Sequence, residues 1–90
     1  MPVFEWDKEK NQKLFRERKI SFEAVISQIE EEGILDIIDG HGRYKHQKQY
    51  ILAINNYVYI VPFVEEGEKI FLKTIIPSRK LTKRYLLGDA

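Results

Sequence analysis

Cysteine is absent from the 90 residues, which removes disulfides, thiolate nucleophiles and Cys-ligated zinc and leaves a chain suited to a reducing compartment. No apolar run approaches the roughly 18 residues that a membrane-spanning helix needs, and the first ten residues are already charged, so a cytoplasmic protein without a membrane partner is expected. Phosphate-cradling glycine loops, nucleophile elbows and paired metal-ligand motifs are also missing, and neither a metal nor another cofactor is expected. Repeats, low-complexity segments and linkers are lacking too. What remains is 43% hydrophobic and 12% aromatic, enough for one core burying about 60 to 65% of the unfolded surface, and hence one domain over residues 1–90.

A net charge of +1 conceals an uneven distribution. Residues 1–39 carry six Lys/Arg against ten Asp/Glu, whereas residues 40–90 carry nine against four. Lys69, Lys73, Arg79, Lys80, Lys83 and Arg84 fall in a stretch with no acid between residues 69 and 84. Such a local field attracts phosphate backbones, although charge runs also serve simply as solvated surface.

The order of elements reads helix, helix, sheet, helix. Phe4-Glu5-Trp6 is a short extended segment, Asp7 caps a helix over about residues 8–18, and its few apolar residues, Leu14 and Phe15, predict a mostly exposed rod. Ser21 caps a second helix ended by Gly33, with Phe22, Val25, Ile26 and Ile29 as its buried stripe. Residues 34–38 read as a first strand. Residues 48–54 and 57–64 flank Asn55-Asn56, which tolerate the positive φ of a tight turn, so they form a hairpin. Residues 69–76 continue it as a third antiparallel strand. Pro62 predicts a bulge or an edge, because it has no N–H for the ladder. Pro77 stops the last strand, and Ser78 caps a short final helix with Leu81 and Tyr85 turned to the core.

Several strings are similar to those of the BrnT family, the toxin half of bacterial toxin–antitoxin pairs. Phe4-Glu5-Trp6-Asp7 with Lys10 resembles the family's opening, with Leu14 where an Asn is common. Ile20-Ser21-Phe22-Glu23-Ala24 resembles its (V/I)SFEEA stretch, while Glu17-Arg18-Lys19 stands where Lys-His-Gly is usual. Residues 71–79 are similar to the family's basic strand ending in an (I)ISAR signature, with Arg79 in the place of the signature arginine. Thr74 and Tyr50 fall where arginines are usual, and Tyr85 falls near an expected acid. The resemblance implies an α+β fold of RelE-like architecture, with two N-terminal helices packed on a three- to four-stranded antiparallel sheet and a short C-terminal helix. It implies a metal-independent endoribonuclease that arrests growth until a cognate antitoxin neutralises it, the two assembling as a dimer of heterodimers.

Cleavage of this kind needs the ribose 2′-hydroxyl deprotonated, the phosphate charge offset and the 5′-oxygen leaving group protonated. Arg79 is the candidate phosphate clamp. Lys73 and Lys80 are phosphate-binding charges able to assist proton transfer, and Tyr85 is a candidate acid or base. Lys83 and Arg84 extend the RNA-binding surface, and Tyr57 and Tyr59 can stack on unpaired bases, although hairpin aromatics more often pack across strands. His41 and His46 can in principle supply acid/base chemistry, but loop histidines in a Gly-rich segment are usually solvated. An antitoxin would place acidic or apolar surface against Lys73, Arg79, Lys80 and Lys83. The alternative is a non-catalytic module that uses the same fold and charge to bind protein or nucleic acid.

Overall fold

A computed structural model describes residues 2–40 and 47–88; His41 and His46 lie outside the described residues. The chain runs β1 (Val3–Trp6), α1 (Lys8–Arg18), α2 (Phe22–Glu31), β2 (Asp36–Asp39), β3 (Lys48–Ile54), β4 (Tyr57–Glu66), β5 (Lys69–Leu72), β6 (Ile76–Pro77) and α3 (Arg79–Leu86). The class is α+β with three helices, and the sheet differs from expectation. Six strands take the order β1-β5-β4-β3-β2 with β6 on β4, and the sheet is mixed, because β1 adds to β5 in parallel, Phe4 opposite Ile70 and Trp6 opposite Leu72. The extended Phe4-Glu5-Trp6 segment is thus an edge strand. Its Phe4 and Trp6 pack on the same core as the hairpin, and burying them is what recruits it.

Local chemistry explains the helix ends. Asp7 accepts from the Lys10 N–H and Ser21 from the Ala24 N–H, satisfying first-turn donors that have no partner inside a helix. Gly33, at φ 87°, donates to the Gln28 carbonyl that also accepts from Glu32. Lys19, capping α1, holds the left-handed φ of 57°, a conformation that costs a non-glycine residue roughly 1 kcal/mol. Asn11 joins the two helices: its amide oxygen accepts from the Phe22 N–H at 2.8 Å, and its Nδ2 donates to Glu23 at 2.6 Å.

Alternation along the hairpin sorts the core. Tyr50, Leu52 and Ile54 of β3, Val61 and Phe63 of β4, and Ile70 and Leu72 of β5 share the face covered by Leu14, Ile20, Phe22 and Val25. Asn55 and Asn56 take φ of 54° and 63°, the pair of values that a two-residue hairpin turn demands. Strand β2 begins two residues later than the pattern suggests, at Asp36 opposite Ile51.

Pro62 acts in an unexpected way. The β3–β4 register runs past it without a bulge, Gln49 opposite Pro62. Counted from the Asn55-Asn56 turn, Pro62 occupies a position whose backbone groups point away from β3 and towards the β5 side. There its carbonyl accepts from the Lys73 N–H at 2.8 Å, but it has no N–H to return. The ladder therefore ends at Leu72, and the strand expected over residues 69–76 splits into β5 and β6, with Ile75 turned fully into the core between them.

Helix α3 also departs from its pattern. Tyr85 is 37% exposed and Leu81 only partly buried; the side chain that packs inward is Thr82. On the edge of β4 beyond β6, the Val58 N–H donates to Thr82 Oγ1 at 2.8 Å, Thr82 Oγ1 donates to the Ser78 carbonyl at 2.7 Å, and the Ser78 N–H donates to the Val58 carbonyl at 2.9 Å. This three-bond ring fixes the helix to the sheet. Thr82→Val conserves volume but strands the buried Val58 N–H, so it is expected to lower unfolding stability by about 1 to 3 kcal/mol in urea titrations. Thr82→Ser restores the ring and should recover most of that loss.

Candidate nucleic-acid interface

Five basic residues of the C-terminal half, Lys73, Arg79, Lys80, Lys83 and Arg84, lie between the end of β5 and the end of α3. Lys73 follows β5, and its side chain is exposed. Arg79 is the first residue of α3, with Lys80, Lys83 and Arg84 following, all exposed. At 3.6 residues per turn, these four occupy an arc of roughly 140° on the outward side of the helix. The same geometry turns Tyr85 roughly 120° from Arg79, onto the flank of Leu81, so α3 does not bring Tyr85 together with the cations. Lys73 and Ser78 bond β4 at Pro62 and Val58, four residues apart, so the backbones holding Lys73 and Arg79 stand roughly 13 Å apart.

Lys83 and Arg84 in the last turn of α3 suit the negative end of its dipole, but the first turn and the spacing of the cations run against helix energetics. No acid stands in its first turn, where Arg79 and Lys80 instead oppose the positive end of the helix dipole. Arg79 with Lys83, and Lys80 with Arg84, are like-charge pairs at i,i+4, each mildly destabilising. The described residues contain one ion pair, Lys48 to Glu65 at 3.2 Å, and none to a cation of α3. A surface built only for stability would place carboxylates here. Breaking local rules without a compensating contact is a mark of a site shaped by function.

The hairpin aromatics divide. Tyr50 stacks on Phe63 with centroids 4.0 Å apart, inside the core; burial, with the Glu65 carboxylate nearby, pushes its phenol above the usual tyrosine range. Tyr57 and Tyr59 meet edge to face at 5.8 Å, both half-buried, with Tyr59 packed against the core cluster. They serve the fold more than an open stacking surface. Comparison with protein-family models, with curated proteins and with solved structures returns no match.

Among the described residues no three His, Cys, Asp or Glu side chains gather to hold a metal ion, and no helix is long and apolar enough to cross a membrane. A groove of about 590 Å³ lies elsewhere, between α1 and α2, where Asn11, Phe15, Arg16 and Glu23 line it. Sequence reasoning passed over Phe71. It sits 37% exposed on β5, with the Lys73 ammonium 5.7 Å from its ring centre. The alternation of Ile70 and Leu72 about it was the available signal.

Proposed function

We propose that this chain is the toxin of a bacterial toxin–antitoxin pair and acts in the cytoplasm as a metal-independent endoribonuclease. The observation that carries the reading is the basic face of α3, which has no ion pair among the described residues and is kept against like-charge repulsion, with Arg79 and Lys80 also set against the dipole. Arg79 offsets the charge that builds on the scissile phosphate. Lys80, next to it, binds that phosphate and assists proton transfer, while Lys73 holds a phosphate further along the strand. Tyr85, on the other flank, has no place in this scheme. Lys19 lends support to the BrnT resemblance, because it takes the left-handed φ that the glycine of Lys-His-Gly would favour.

A second reading, a non-catalytic binding module, draws on Tyr50. Near the place where the resemblance has an arginine, this chain has a buried aromatic stacked on Phe63. Induced expression separates the two. Wild type should arrest growth and leave new RNA ends, and Arg79→Ala should remove both while melting at the same temperature. Growth without arrest in the presence of folded, soluble wild-type protein would select the binding module. On the toxin reading an antitoxin would set acidic or apolar surface against Lys73, Arg79, Lys80 and Lys83, so charge reversal at Arg79 and Lys83 should weaken the complex. Assembly as a dimer of heterodimers belongs to the same proposal.

A further inference from the structure

The face of the sheet turned away from α1 and α2 is exposed at its β1–β5 end. Register puts Val3, Glu5, Lys69 and Phe71 there, with Phe71 opposite Glu5 on one side and Val64 on the other. The neighbours of Phe71 in β5, Ile70 and Leu72, are buried on the helix-covered face, so the strand holds the ring at a fixed height above a flat surface. Charge around the ring is polarised. Glu5 flanks the ring on the β1 side and Glu66 lies opposite Lys69 at one end, while Lys73 stands at the other, and from there to Arg84 the chain contains no acid. An anionic strand laid over Phe71 is therefore directed along β6 towards α3.

We infer that Phe71 is a base-stacking residue for single-stranded RNA, with Lys73 on a phosphate beside the stacked base and the strand continuing to Arg79. The inference rests on the RNA-binding reading and adds the strandedness of the substrate. The Lys73 ammonium now over the ring is no obstacle. An exposed cation–π contact is worth about a factor of 2 to 5 in equilibrium, whereas a base stacked on an aromatic ring is worth about 5 to 150. A base displaces the ammonium, and the released lysine is then free to meet phosphate. Duplex RNA keeps its bases stacked inside the helix and offers no ring to Phe71.

The test uses the full chain and a fluorescein-labelled ten-nucleotide oligouridylate, with a duplex of equal length as control, followed by anisotropy over a range of salt. Phe71→Ala is expected to weaken single-strand binding by about 5- to 150-fold with the salt slope unchanged, and Phe71→Trp to preserve it. Lys73→Gln should instead lower the slope by about 0.7. Duplex affinity should be the same for wild type and Phe71→Ala. Melting temperature controls for folding, and Phe71→Trp keeps the test decisive if the alanine variant is destabilised. Equal single-strand affinity for wild type and Phe71→Ala would overturn the stacking role and leave the RNA-binding reading intact. Absence of wild-type binding to either RNA would overturn both. An altered oligomeric state of Phe71→Ala with unaltered RNA affinity would assign the face to a protein contact and overturn the proposal.

Discussion

Phe22→Ala is expected to remove about 3 to 5 kcal/mol of folding stability, the largest loss at any single side chain of this domain. Phe22 is 0% exposed and stands at a junction. It opens α2 directly after the Ser21 cap, its N–H donates to Asn11 of α1, and its ring stacks on Trp6 of β1 with centroids 6.0 Å apart. Truncation leaves a cavity bounded by three elements, none able to close it without giving up a hydrogen bond or a cap. Domains of this size hold about 5 to 15 kcal/mol in total, and each kcal/mol is worth about 4 to 8 °C, so the midpoint should fall by at least about 12 °C. Phe22→Leu, which retains most of the volume, should cost far less. A loss below about 1 kcal/mol for the alanine variant would mean that the helix pair relaxes onto the sheet and that Trp6 fills the space.

Phe22 belongs to the part of the fold that was legible in the chain, and the reason is physical. Helix caps act within four residues, hairpin turns within two, and burial imposes a period of 3.6 or 2 on the residues between them. Asp7, Ser21, Gly33, Asn55-Asn56 and Ser78 accordingly mark the element ends where the structure has them. What pairs with what over long range leaves no such mark. Phe4-Glu5-Trp6 has the look of a strand, yet its parallel partner lies more than sixty residues away. Pro62 signalled trouble in β4, but the broken ladder is the one to Lys73 rather than the one to Gln49. Thr82 and Asn11 were hidden because a polar residue inside a helix looks like surface until a backbone N–H from another element arrives at it. In the candidate site, the cations were readable as a run without acids. Their distribution over one arc of α3, and the exclusion of Tyr85 from it, required the helix to be placed.

Replacing Arg79, Lys80, Lys83 and Arg84 together by alanine should produce the largest functional change. Each phosphate contact to a single strand contributes about 0.7 to the slope of log affinity against log salt, so the variant's slope should be lower by about 3, with affinity near physiological salt down on the order of a hundredfold. Stability should not follow it down. The substitutions remove two like-charge i,i+4 pairs, two cations that oppose the positive end of the helix dipole and two, Lys83 and Arg84, that favour its negative end, and they break no ion pair among the described residues. The dipole contributions at the two ends offset each other, and at a few tenths of a kcal/mol for each like-charge pair the variant should unfold at the same or a slightly higher denaturant concentration. A loss of affinity without a loss of stability gives the experiment its force. A decorative surface would leave the salt slope unchanged, and a merely structural one would lose stability along with affinity. Weaker RNA binding with undiminished stability would show that α3 holds its cations for phosphate and not for the stability of the helix that carries them. An unchanged salt slope would remove α3 from the RNA surface and move attention to the Phe71 face alone.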